Sequence, residues 1–288
     1  MRRLNIAQPL VSPAWTCLLL SFPIAALALA VYLPLLFLGE RAATPLDPVP
    51  LILAIGNDPL YRTALITTFA ISAYVTLGCL LVGSLMSIFM VHIGRRAELF
   101  VLALVVSSWW MSVLLRSFVW IVLLQENGPI STALRAVGLN APVSSILFTK
   151  TAVVLAMIHV LSPIAVLIFW ASLRERAREL RNIAHSLGSS DTFYFFRVLV
   201  PYLRTGAFAA GSLVFLLATG FYVTPELLGG GNGSTLTIGV LIEEQIDRFG
   251  DWQKASAIAL LLVFAIAIAF VALVATRRLR LSLMSDAR

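Results

Sequence analysis

Long apolar runs separated by short polar stretches set the pattern of this chain. Six of them stand out: Trp15–Leu38, Ala64–Val91, Leu99–Leu124, Thr151–Leu173, Thr205–Val223 and Ala255–Thr276. About 20 predominantly apolar residues carry a helix across the hydrocarbon of a bilayer, so each run predicts a transmembrane helix. Membrane strands would be shorter and would alternate in polarity, and the runs do neither. The expected fold class is therefore all-α, a polytopic membrane protein of about six transmembrane helices forming one domain over residues 1–288. Arg2 and Arg3 precede the first run as they would in a signal peptide. A signal core spans roughly 7–15 residues, and Trp15–Leu38 exceeds that, so an uncleaved first span is expected.

Composition agrees with the runs. The chain is 60% hydrophobic and 12% charged, with mean hydropathy +0.95. Soluble domains carry about 25% charged residues, so lipid must cover much of this surface. Cys17 and Cys79 both fall in apolar runs and read as small buried hydrophobes.

Charge orients the spans. With a cytoplasmic N-terminus, the inner segments collect 14 of the 21 basic residues but five of the 14 acids. Cytoplasmic loops are enriched in Lys and Arg, so both termini are expected inside. The net charge of +7 then reflects orientation and contact with anionic lipid, and nucleic acid is not an expected partner.

Four connections are long. Gly39–Thr63 is an outer loop in which Asn57 or Asp58, ahead of Pro59, can cap the second helix. Gln125–Lys150 carries the turn signal Asn127-Gly128-Pro129, and Pro225–Lys254 contains the run Gly229–Gly233, read as a flexible turn. The fourth, Arg174–Arg204, is the inner one. Over Arg174–Leu187, Leu180, Ile183, Ala184 and Leu187 make an apolar face, with Arg174, Arg178, Arg181 and His185 on a polar stripe. Gly188 ends that helix. Ser190 or Asp191 starts a second over Thr192–Leu199, and Pro201 is expected to stop it before the fifth span. The residues alone fit either an amphipathic helix resting on headgroups or a knob docking into another protein's groove.

Asn182-Ile183-Ala184, then Gly188, then Val198-Leu199-Val200-Pro201 resembles the EAA loop of permeases of binding-protein-dependent ABC importers. The family's spacing is kept throughout. Ala184, Gly188 and Pro201 match it in type, whereas Asn182 stands for the usual glutamate and Ile183 for the first alanine. Arg116-Ser117-Phe118-Val119-Trp120, Asn127-Gly128-Pro129-Ile130 and Phe221–Gly230 look like the spermidine/putrescine-type subgroup. The resemblance implies a type I importer permease fold in a bacterial inner membrane. It also implies a second homologous permease, an ATPase dimer beneath and a solute-binding protein outside. The coupling loop to the ATPase would comprise Asn182, Ile183, Ala184, Gly188, Val198, Val200 and Pro201. The implied cargo is a polyamine, with an opine, an amino-acid derivative or a metal chelate as alternatives.

No phosphate loop of the form G-x-x-x-x-G-K-[ST] occurs in the chain. No catalytic or metal-binding residues are expected, and ATP and magnesium would be bound by the partner ATPase. An ion-coupled secondary transporter would place several acids or histidines within its spans, and the sequence does not. Three residues are candidates for the pathway or its outer mouth. Arg116 lies within the third run, either lining the pathway or snorkelling to the interface or paired structurally. Glu226 either attracts a cation or is an ordinary outer acid, and Tyr222 is a pathway aromatic or an interface anchor. His159 is expected to pack or to hydrogen-bond between helices. Ala207 and Gly211 in the fifth run are read as a close helix contact.

Overall fold

The computed structural model describes residues 29, 32–41, 48–138, 146–174, 176–229 and 235–285, and every regular element among them is helical. The first predicted span lies largely outside the described residues, which include a helical stretch at 32–41. The chain divides into two compact units. One comprises residues 1–55 and 250–288 and contains the long helix Trp252–Ser285 in place of the predicted sixth span.

The second unit, Gly56–Phe249, holds the candidate functional residues. Helix α1 (Pro48–Asn57), most of which falls in the first unit, precedes α2 (Pro59–His92), the first long helix of the second. Asp58 caps α2 as expected: its carboxylate accepts the Leu60 N–H at 2.8 Å, and Pro59 fills the first helical position, where no N–H is needed. The fourth predicted span is α6 (Lys150–Leu173), started by Thr149, whose hydroxyl accepts the Ala152 N–H. The fifth begins and ends earlier than expected, as α9 (Val200–Thr219).

Helix α6 is the centre of this unit and packs against both α2 and α9. It is apolar on every side, and Met157, Ala165, Phe169 and Leu173 are fully buried along it. Such all-round apolarity suits a helix enclosed by other helices. Cys79 of α2 is buried here as a small hydrophobe, its thiol 3.6 Å from the Ile158 carbonyl oxygen. Glycines allow the crossings. A Cβ on Gly83 would lie 2.8 Å from the Ala165 Cβ, and one on Gly206 would lie 2.8 Å from Ser172 Oγ. Gly211, singled out in the sequence, faces α2 at ordinary distance, with Leu80 Cδ1 at 3.5 Å. The outward faces keep large apolar side chains such as Tyr74, Leu77, Leu81 and Phe89 exposed, as a lipid or partner-helix surface requires.

The third predicted span, Leu99–Leu124, is not one helix. It is broken at Trp110–Ser112 into α3 (Arg95–Trp109) and α4 (Val113–Leu124), and the stretch Val113–Ala136 runs at 97° to α3. No proline lies at the break; Ser107 and Ser108, just before it, donate back to the carbonyls of Leu104 and Val105 at 3.0 and 2.8 Å. Among the described residues four helices are long and apolar enough to cross a membrane, or five if the bent pair is one span. The predicted outer loops also hold structure. They contain α5 (Pro129–Ala136), α10 (Val223–Gly229) and α11 (Ile238–Asp247).

Candidate functional site

The connection Arg174–Arg204 folds as a helix-turn-helix. Helix α7 (Ala177–Ser186) ends where Gly188 takes φ +76°, a left-handed conformation that glycine adopts without penalty. The Gly188 N–H bonds to the His185 carbonyl and the Ser189 N–H to the Ala184 carbonyl, each at 2.9 Å. That pair of bonds is the Schellman closure of a helix C-terminus. Ser190 then caps α8 (Asp191–Tyr194) by accepting the Phe193 N–H at 3.3 Å.

Pro201 does not stop this second helix. The chain runs through a π-helical turn, Phe195–Leu199, straight into α9. The Val200 N–H reaches back five residues to the Phe195 carbonyl, and this wider turn accommodates a proline that lacks its own N–H.

Internal bonds hold the two halves together. Asp191 accepts from Arg181 and pairs with His185 Nε2, both at 3.1 Å, and the Tyr194 hydroxyl donates to the Ala177 carbonyl at 2.9 Å. The Arg181 hydrogen bond, helped by His185, holds the Asp191 carboxyl below the usual carboxylate range. The sequence offered Asp191 only as a cap; its role as the bridge back to α7 depends on the turn geometry.

Of the predicted loop residues, Ala184 is buried and Val198 half-buried, while Asn182, Val200 and Pro201 are exposed. Ile183 is 50% exposed and Leu187 82%. Together with Phe193 they border a shallow apolar concavity between α7 and the π turn, lined also by Leu180, Ala184 and Gly188. Asn182 lies instead on a polar cleft with Val91, His92 and Arg181. The aromatic half separates by face: Tyr194 is buried, and Phe193 and Phe196 remain outside.

The candidate mouth residues lie just before and within α10. Tyr222 and Glu226 are exposed, and Thr224, Pro225 and Leu228 are buried. Glu226 borders a cleft of about 310 Å³ with Pro225, Leu236, Glu243, Glu244 and Arg248. Burial, then the neighbouring carboxylates of Glu226 and Asp247, pushes the Glu243 carboxyl up, so negative charge is concentrated there. Glu244 is paired with Arg248 at 2.9 Å. Gly229 is the last residue of α10 and is buried, its carbonyl accepting from Thr235 at 2.6 Å. The remainder of the predicted glycine turn, 230–233, lies outside the described residues.

Arg116 does not snorkel. It is 3% exposed, in the first turn of α4, and donates to the Val160 carbonyl at 3.1 Å. Its neighbour Ser117 shares a 2.8 Å hydrogen bond with Thr224. Trp120, one turn on, donates its indole N–H to His159 at 3.3 Å, the interhelical bond expected of that histidine. Ser117 and Thr224 carried no sequence signal of their own.

Long apolar helices joined to a helix-turn-helix that presents exposed aliphatic side chains fit a membrane protein with a docking surface. Residues 79–281 match the family described as binding-protein-dependent transport system inner membrane component, and the chain belongs to that family. It is 28% identical over 244 residues to the spermidine/putrescine transport system permease protein PotB of Escherichia coli K12, covering 82% of this chain and 88% of that one. The Haemophilus influenzae PotB is 30% identical over 204 residues, 70% of each chain. A putative 2-aminoethylphosphonate transport system permease protein, PhnU of Salmonella typhi, is 25% identical over 265 residues, 90% of this chain and 91% of its own. The fold is similar to that of a chain of the bacterial alginate ABC transporter solved with an alginate pentasaccharide-bound periplasmic protein. That chain is 12% identical, with TM-score 0.68 over 88% of this chain and 91% of its own. The protein is thus a multi-pass inner-membrane permease subunit of an importer.

Proposed function

We propose that this permease carries a polyamine of the spermidine or putrescine kind across the membrane. It does so as a single six-span domain of type I importer fold with both termini in the cytoplasm. A second, homologous permease completes the pathway, a solute-binding protein delivers cargo from outside, and an ATPase dimer holding ATP and magnesium docks beneath. The observation that carries the docking role is the exposed aliphatic pair Ile183 and Leu187 beside Phe193, on a loop whose backbone is pinned by Gly188 and Asp191. An apolar knob on a closed, prefolded loop suits a protein groove. The basic inner segments support the orientation.

The cargo reading rests on the similarity to spermidine/putrescine permeases and on the negative cleft of Glu226 and Glu243, which favours a cation at the mouth. Calorimetric titration of the cognate solute-binding protein with spermidine and putrescine tests it. Saturable binding at about micromolar Kd, roughly −8 kcal/mol, is the expected result. Binding of an aminophosphonate with no affinity for either amine would overturn the cargo and leave the docking role standing.

A further inference from the structure

Pro163 sits inside α6, which continues through it. Proline has no N–H, so the His159 carbonyl one turn earlier loses its helical donor; the Ser162 hydroxyl covers it at 3.3 Å. Two hydrogen bonds from α4 land on α6 just ahead of this proline, and a third reaches α10. Arg116 binds the Val160 carbonyl, Trp120 binds the His159 ring, and Ser117 on the adjacent face binds Thr224 of α10. A single turn of α4 therefore ties the mouth helix to the part of α6 that precedes the proline. Helix α2 meets α6 on both sides of Pro163, through Cys79 at the Ile158 carbonyl ahead of it and through Ser87 beyond it. Ser87 of α2 donates to the Val166 carbonyl at 2.9 Å, and Tyr202 of α9 donates to the Ser172 carbonyl at 3.3 Å.

The Arg116 and Ser117 bonds are buried, and a buried polar group that loses its partner is costly. Arg116 is buried with its Nε lacking a partner, so its position depends on the Val160 carbonyl. A guanidinium held this way has few other places to go.

We propose that Arg116 is a positioning residue that, with the Ser117–Thr224 bond, straps α4, α10 and residues 150–162 of α6 into one body that keeps its internal contacts while the permease changes state. Rigid bodies that move as units are an established form of switching in proteins. The inference rests on the chain being a permease that changes state, and not on which solute it carries.

The test uses the full importer complex in nanodiscs, with Cys17→Ala and Cys79→Ala as background. Ser117→Cys with Thr224→Cys is oxidised in the nucleotide-free and in the vanadate-trapped state. The expected result is a disulfide of equal yield, within twofold, in both states, with ATP hydrolysis by the cross-linked complex kept within twofold. A yield at least fivefold lower in either state, absence of the disulfide, or hydrolysis lost and then recovered on reduction would overturn the strap. Adding Arg116→Gln should lower the yield severalfold, and Arg116→Lys should restore it in part. An unchanged yield in Arg116→Gln would remove Arg116 from the strap. None of these measurements needs a cargo, so failure of the polyamine reading leaves them interpretable.

Discussion

Replacing Ile183 and Leu187 together by glutamate should abolish copurification of the ATPase while leaving the permease folded in the membrane. Both side chains are largely exposed in the subunit, so the substitution removes little from its own core. In the docked state each would be buried, and burial of such a side chain is worth about 1.5–3 kcal/mol. Losing two and desolvating two carboxylates weakens docking by at least about 100-fold, at roughly 1.4 kcal/mol per factor of ten. Copurification from detergent extracts reads the effect directly. Asn182→Glu serves as the contrast. It places a carboxylate on the separate cleft beside Arg181, so the ATPase should be retained. Equal recovery of ATPase with the double glutamate variant would remove the apolar edge of α7 from the interface.

The largest loss of stability is expected from Gly83→Val. Its Cβ alone would meet the Ala165 Cβ at 2.8 Å and the Ala165 carbonyl carbon at 3.0 Å. A backbone atom cannot rotate away, so α2 and α6 would have to separate along the most extensive packing of the unit. Overpacking of this kind costs about 1–3 kcal/mol and occasionally more, a large share of a typical net stability of about 5–15 kcal/mol. Gly211→Ala is the matched control. Its added methyl makes ordinary contact with Leu80 and Thr76, and removing a helical glycine itself gains about 0.5–1 kcal/mol. Thermal inactivation of the purified permease, followed by size-exclusion fluorescence, should show Gly83→Val unfolding well below the parent and Gly211→Ala at or above it. The reverse order would contradict the helix crossing.

That pair of glycines marks where sequence reading reaches and where it stops. Ala207 and Gly211 are small residues at helical spacing, so they could be noticed in one run. Gly83 and Gly206 take their meaning from Ala165, Phe169 and Ser172 on another helix, which no spacing within their own run reveals. Caps and turns, by contrast, are local. Asp58 before Pro59 and Gly188 after an amphipathic stretch state their own backbone requirements, and both are used as expected.

Length and apolarity specified α2 and α6 within about five residues and the start of the helix Trp252–Ser285, which runs on past the predicted end at Thr276, because a membrane span is a local property of composition. The bend at Trp110–Ser112 escaped that logic. Hydropathy averages across it and does not register a change of direction. At the candidate site, the loop's framework was legible in Ala184, Gly188 and Pro201, but the path through Pro201 was not. A π turn has no composition of its own, and it converted an expected helix stop into a continuous helix. Arg116 was noticed for its charge and its place in a motif. Its partner is a backbone carbonyl on α6, so the pairing became visible only with α6 in place.

The most direct measurement is uptake by proteoliposomes that hold both permeases and the ATPase, supplied with solute-loaded binding protein outside. Accumulation should require ATP inside, should stop when the phosphate-loop lysine of the ATPase is replaced, and should persist after ionophores collapse the proton and sodium gradients. Uptake that proceeds without ATP and disappears with the ion gradient would contradict the importer assignment.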